Sequence, residues 1–217
     1  YDKLIREYPN SGYTAPAMMR KGLQFYNENR LDEALTVFKQ VASKYAGTPQ
    51  AVEAVSSARL VYIDQGKTAD YASWVRGLDF VDVSDSELDD TAYESAERPF
   101  LQGNMSNAVR ELSKYLEQFP NGKYTLQAHF NLAQAYFSEG NKAASIPHYK
   151  YVADRERSEY SEQALARLGE IILNDAVSDG ADRKSAFAKA IPILIKLEAT
   201  ADFPQNKAYA QSNLMKA

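Results

Sequence analysis

Apolar residues recur at helical spacing along nearly the whole chain. Met18, Gly22, Phe25 and Tyr26 fall at i, i+4, i+7 and i+8. After a short polar break Leu31, Ala34, Leu35, Phe38 and Val41 do the same. Two such segments in succession predict a helical hairpin. Further pairs are predicted over residues 51–64 and 68–80, about 86–101 and 104–118, 125–138 and 142–154, and 161–176 and 183–199. No segment shows the period of two that a half-buried strand requires. Pro99 and Pro147 fall inside predicted helices, where each should remove a hydrogen bond and bend its helix.

The segments share one ruler. Tyr8-Pro9-Asn10-Ser11-Gly12-Tyr13 returns 111 positions later as Phe119-Pro120-Asn121-Gly122-Lys123-Tyr124, three periods of 37. At that period Tyr8 leads to Tyr45, Asp82 and Phe119, and Ala17 leads to Ala54, Thr91 and Ala128. Asn29 leads to Gly66, Gly103 and Gly140. Each of these four sits between two apolar-periodic segments, where a tight helix–helix turn calls for a left-handed residue. Ile146-Pro147 and Ile191-Pro192 are 45 apart, so the fifth hairpin has a longer turn, over about 175–182. Residues 1–8 (Leu4, Ile5, Tyr8) and 207–215 read as half units. The chain starts at Tyr1 without a leader pattern and stops inside a helical pattern, so a fragment of a longer repeat protein is expected. Its end helices should fray or pair with another copy, and a homodimer formed that way would be a product of excision.

The expectation is an all-α solenoid occupying residues 1–217 as one domain, with about five full 37-residue repeats and a half repeat at each end. Composition narrows what it can do. The 217 residues, 45% apolar and 25% charged, suffice for a substantial core. A net charge of −4 speaks against nucleic acid, whose recognition rests on excess Lys and Arg. The absence of cysteine removes disulfides, thiolate metal sites and thiol nucleophiles, and leaves the compartment open. The longest apolar run, residues 190–195, is far short of the ~20 residues that span a bilayer, so no membrane insertion by this segment is expected.

Small and aromatic residues stand at fixed offsets. Gly22-x-x-Phe25 is followed by Ala34-x-x-x-Phe38, Ala133-x-x-Tyr136 by Ser145-x-x-x-Tyr149, and Ala108-x-x-x-Leu112 by Phe119-Pro120. This pattern resembles the tetratricopeptide repeat over the whole chain, although the usual unit is about 34 residues. The second unit departs from it, with Tyr71 and Val75 where Ala and an aromatic are expected. The resemblance implies a right-handed superhelix whose concave groove is lined by the first helix of each hairpin. The long Tyr-Pro-Asn-Ser turns are similar to those of bacterial envelope members, such as the Tol-associated periplasmic repeat proteins and the outer-membrane assembly lipoproteins. That implies a periplasmic or outer-membrane-associated location and leaves a cytoplasmic one open.

Catalytic chemistry is thin. His129 and His148 lack an i, i+4 partner suited to metal and read as ordinary surface or groove residues. There is no phosphate loop and no Gly-x-Ser-x-Gly elbow. No catalytic, metal or cofactor site is expected. Over residues 79–97, Asp79, Asp82, Asp85, Glu87, Asp89, Asp90, Glu94 and Glu97 run without an intervening Lys or Arg. Helix-start chemistry around Ser84, Asp85 and Ser86 explains such a run, and a patch that steers a basic partner is the other reading.

Counted from the family's small position (Gly22, Arg59, Ala96, Ala133, Gly169), the groove offsets −3, +1, +4 and +5 give candidate partner-binding residues. These are Met19, Tyr26 and Asn27 in the first unit, Asp64 in the second and Tyr93 and Glu97 in the third. Phe130, Gln134 and Phe137 follow in the fourth and Asn174 in the fifth; the same offsets also give Leu23, Ser56, Leu60, Ile63, Phe100, Leu101, Ser138, Ala166, Glu170 and Leu173. Aromatic, amide and acidic groups together suit a protein or peptide segment. The −3 series (Met19, Ser56, Tyr93, Phe130, Ala166) has no cation, so a carboxylate clamp is not expected. The reading is a non-enzymatic interaction scaffold, here of a cell-envelope assembly. The alternatives are a solenoid arm of a cell-wall enzyme, and a glycan or small-molecule groove stacking on Tyr93, Phe130 and Phe137. The repeat frame makes a direct prediction. Ala133→Leu should overpack the fourth hairpin and cost ~1–3 kcal/mol in a denaturation experiment, and an unchanged melting curve would contradict the frame.

Overall fold

The computed structural model describes residues 1–178 and 183–216. Regular structure among them is entirely helical. The elements are α1 (Asp2–Glu7), α2 (Thr14–Asn27), α3 (Leu31–Lys44), α4 (Pro49–Asp64), α5 (Thr68–Val75) and α6 (Asp85–Leu101). They continue as α7 (Met105–Gln118), α8 (Thr125–Ser138), α9 (Lys142–Ala153), α10 (Glu159–Ser178), α11 (Arg183–Thr200) and α12 (Pro204–Leu214). The expected hairpins are therefore present, in a frame displaced by at most a few residues except in α5. The long turn expected near 175–182 is shorter at its start, because α10 continues to Ser178, and residues 179–182 lie outside the described ones.

The four ruler positions between helices adopt left-handed backbone: Asn29 (φ 58°), Gly66 (66°), Gly103 (75°) and Gly140 (78°). In each turn the next N–H closes onto the carbonyl five residues earlier, Arg30 to Phe25, Lys67 to Tyr62, Asn104 to Pro99 and Asn141 to Tyr136, at 2.8–2.9 Å. This six-to-one closure satisfies a carbonyl that the helix end would leave open. Asn104 and Asn141 then cap the following helices, accepting from Asn107 N (3.2 Å) and Ala144 N (3.1 Å).

The chain forms two compact units, Tyr1–Ser95 and Ala96–Ala217, divided within α6. In the first, α2 and α3 meet where Gly22 faces the ring of Phe38, and Ala34, Val41, Ala54, Ala58 and Val61 are fully buried. Tyr71 and Val75, the irregular pair of the second repeat, are buried too. The helix expected over 68–80 stops at Val75. One helical turn and two turns beyond Val75, the inward positions fall on Asp79 and Asp82. By leaving the helix, the chain instead packs Leu78, Phe80, Val81 and Val83 against this core. Ser84 then opens α6 with a capping box. Its N–H donates to Glu87 Oε2 (2.8 Å), and its Oγ accepts from Glu87 N (3.2 Å). Helix-start chemistry thus accounts for this part of the acidic run. Asp85 and Glu94 pair with Arg76 and Arg59, at 2.9 and 2.8 Å.

In the second unit α8 and α9 enclose Ala133, Ser145 and Tyr149, while Leu168, Ile171, Leu194 and Leu197 fill the space between α10 and α11. Pro147 and Pro192 lie inside α9 and α11, and Pro99 inside α6. Two buried threonines lock the turns that start a hairpin. Thr14 Oγ1 donates to Tyr8 O (2.6 Å), and its counterpart 111 residues on, Thr125 Oγ1, donates to Gly122 O (2.7 Å) and Phe119 O (3.3 Å). Glu162 fastens α12. Only 3% exposed, its carboxylate accepts from Asp202 N (2.8 Å), Phe203 N (3.0 Å) and Asn206 Nδ2 (2.8 Å).

Two predictions follow from this packing. A Cβ at Gly22 would lie 2.5 Å from Phe38 Cε1. Gly22→Ala gains up to ~1 kcal/mol of helix propensity but overpacks at ~1–3 kcal/mol, so urea denaturation should show a net loss. Phe38→Leu should cost less in that background than in the wild type. For Glu162, burial raises the pKa, but the donors Asn206, Asp202 N–H and Phe203 N–H outweigh it and hold the carboxyl below its ordinary 4.5. A depressed folded pKa means that this stability is present above about 4.5 and is lost as pH falls through the folded value. Glu162→Gln, with one acceptor oxygen in place of two, leaves a buried N–H unsatisfied at ~1–3 kcal/mol. Hydrogen exchange should register this as faster exchange in α12 at neutral pH.

Candidate partner-binding site

The groove positions of the first unit divide into a floor and a rim. Met19 and Tyr93 are buried, and Asn27 is exposed. Tyr26 on α2 and Asp64 on α4 lie 38 residues apart in sequence, and the fold joins them: the Tyr26 hydroxyl donates to Asp64 Oδ2 at 2.6 Å. Leu23 and Leu60, one period apart at the same offset, are about two-fifths exposed (39% and 41%). Arg59 takes the place of the small residue in this repeat. It does not close the helix pair but reaches α6, donating to Thr91 Oγ1 and to Glu94 Oε2, both at 2.8 Å.

In the second unit the side chains gather into a cleft of about 550 Å³, a size that suits a bound segment or small ligand. The first helices of three successive repeats build it. Helix α8 gives Phe130 and Gln134, α10 gives Gln163, Ala166, Arg167 and Glu170, and α12 gives Gln205, Asn206 and Tyr209, with Tyr149 of α9 at the base. Ala166 and Glu170 stand on α10 at the same offsets as Phe130 and Gln134 on α8, so the repeat itself stacks the lining. Gly169 keeps α10 close to its neighbours: a Cβ there would lie 3.3 Å from Leu194 and 3.6 Å from Tyr209.

The cleft's charges cancel. Arg167 Nη1 meets Glu170 Oε2 at 2.5 Å, and the guanidinium lies 4.6 Å from the centre of the Phe137 ring. What remains is four carboxamides among aromatic rings. Burial pushes the Tyr149 hydroxyl up to about 12, with Arg167 acting in the opposite direction. Burial, aided by Glu170, also raises that of Tyr209. Such a surface offers hydrogen bonds of both senses.

Of the residues read from sequence, Phe130 and Gln134 line this cleft and Phe137 borders it through Arg167. Glu97 accepts from Asn131 Nδ2 (3.1 Å) on the floor of α8. Asn174 is exposed and is not among the lining residues. Sequence reasoning missed Gln163, Arg167, Gln205, Asn206, Tyr149 and Tyr209. The signal for α12 was faint, because the longer fifth repeat breaks the ruler before it. The two histidines were also read separately, yet the α8/α9 hairpin brings His129 Nδ1 to 2.8 Å from His148 Nδ1. Among the described residues no group of three or more His, Cys, Asp or Glu is placed to hold a metal ion.

With this geometry in view, comparison with known proteins is informative. Residues 16–48, which cover α2 and α3, match the tetratricopeptide repeat family. The α2/α3 hairpin thus matches one tetratricopeptide repeat. Residues 85–154, from α6 to the end of α9, match the family described as outer membrane lipoprotein (YfiO). Neither match spans half of the chain. No curated protein matches it. Similar solved structures include the MamA protein, 20% identical over 89% of this chain and 97% of that one, with a TM-score of 0.41. Another is a tetratricopeptide repeat protein from Parabacteroides merdae ATCC 43184, 13% identical over 99% of this chain and 89% of that one, also at 0.41. The helices and left-handed turns described above define the fold. Among the described residues no helix is long and apolar enough to cross a membrane.

Proposed function

We propose that this chain is a non-enzymatic scaffold that binds a protein partner within a bacterial cell-envelope assembly, gripping an extended segment in the α8/α10/α12 cleft. The cleft's composition carries the reading. Gln134, Gln163 and Gln205 each present an acceptor and a donor of the kind a peptide backbone pairs with, and Asn206, whose Nδ2 donates to Glu162, presents its amide oxygen. Phe130, Tyr149 and Tyr209 supply apolar contact between them. The internal Arg167–Glu170 pair leaves no net charge to demand a charged ligand. The envelope setting is supported by the similarity of residues 85–154 to the outer membrane lipoprotein family. In the first unit, Met19, Tyr26, Asn27 and Asp64, with Leu23 and Leu60 on the rim, form a candidate surface for further contact.

A photo-crosslinking amino acid at Gln134 or Gln205, introduced in living cells, tests this. The expected product is one envelope protein linked at both positions, with little product from the same group at exposed Ser73. Gln205→Arg together with Gln134→Arg should reduce that product at least tenfold by adding two unpaired cations. Equal yields from the cleft and from Ser73, or products without protein, would overturn the reading.

A further inference from the structure

We infer that the His129–His148 pair is a pH-sensitive staple, one that holds the α8–α9 wall of the cleft together near neutrality and releases it in acid. Its meaning for binding rests on the cleft proposed above, which the staple's own readouts do not use. The geometry sets the chemistry. Two Nδ1 atoms 2.8 Å apart share one proton, one imidazole donating and the other accepting. A first added proton goes to the unprotonated Nε2 of the donating ring and leaves this bond intact. A second must go to the accepting Nδ1, which sets two N–H donors and two positive charges against each other. The pair then has to separate.

The surroundings give the imidazoles little room to escape in place. Tyr151 stacks on His129 with ring centres 3.8 Å apart, and Tyr136 stacks on His148 at 5.8 Å. Arg155 lies 4.1 Å from the Tyr151 ring, adding a third positive charge beside the pair. On α7, which also packs against α8, Arg110 and Lys114 both pair with Glu111. On α10, packed against α9, Arg167 is held by Glu170 at the cleft. Among the described residues no carboxylate contributes to the shift of either imidazole. Burial, then His148 and Arg155, lowers His129 from its ordinary 6.5 to about 4, and burial alone lowers His148. A depressed folded pKa places the stabilisation above 6.5, and it is lost as pH falls from there toward about 4. The two protons belong to the pair, and the second step carries the opening.

The staple adjoins the cleft on both helices. Phe130 follows His129 on α8 and Tyr149 follows His148 on α9. Their rings meet edge to face at 6.2 Å, and both line the cleft. Drawing the histidines apart therefore draws this aromatic contact apart.

Hydrogen exchange on the full chain at pH 7.5 and pH 5.0, corrected for intrinsic rates, tests the staple alongside imidazole nitrogen NMR. Protection over residues 125–153 should fall at least tenfold at the lower pH, with residues 31–64 of the first unit falling less than twofold. The Phe130–Tyr149 ring cross-peak should weaken in parallel. His148→Gln, which keeps a donor for His129 but removes one titrating ring, should reduce the fall at least threefold. His129→Phe with His148→Phe should abolish it. If that pair does not fold, the wild-type NMR decides: the second protonation of the folded chain must occur well below 6.5, and protection must be lost in the interval between 6.5 and that step. A fall no larger than that of residues 31–64, an equal fall in the Phe pair, or an unchanged ring cross-peak would overturn the proposal. Failure to crosslink a partner at either pH would instead count against the cleft reading and leave the staple standing.

Discussion

The structure depends on turning a helix back on itself in very few residues. Asn29, Gly66, Gly103 and Gly140 do this in left-handed backbone, each followed by the same N–H to carbonyl closure five residues back. A turn of this kind fixes the entry angle of the second helix. It brings the small residue of one helix against the aromatic of the next, as at Gly22 and Phe38. Asn is the only non-glycine in the series, as expected of a residue whose short amide side chain tolerates positive φ.

Between hairpins the constraint is polar rather than steric. Thr14 and Thr125 are buried because their hydroxyls satisfy the carbonyls at the end of the preceding helix, and Glu162 does the reverse for the N–H groups that open α12. Each is a buried polar group whose removal would expose an unpaired partner, which makes the register of the helices specific in a way that apolar packing is not. The first unit shows what happens where the repeat pattern fails. With aspartates at the inward helical positions after Val75, α5 ends early and the chain covers the core with a non-helical segment instead.

The same stacking that buries the core exposes the cleft. Equivalent positions on α8 and α10 superpose because the repeat is regular, and α12 extends the lining because Glu162 anchors its first turn. Burial is strong enough there to shift Tyr149, Tyr209 and the neighbouring imidazoles, yet the one guanidinium and the one carboxylate of the lining neutralise each other. The lining therefore presents amide donors and acceptors between aromatic rings.

The helices, the hairpin turns and the residues that close them were legible in the local pattern, apart from the early end of α5 at Val75. Those depend on interactions within a few residues, and a 37-residue period repeats them often enough to be read. The sequence also marked Phe130 and Gln134 as groove residues, since offset from the small position sets which way a helical side chain faces. Tertiary structure decided what lay beyond one repeat. Tyr26 finds Asp64 across 38 residues, and Glu162 finds Asp202 and Phe203 across about forty. His129 meets His148 only because α9 folds back at the angle its turn dictates. Such pairings follow from how whole helices pack, and no local periodicity records them.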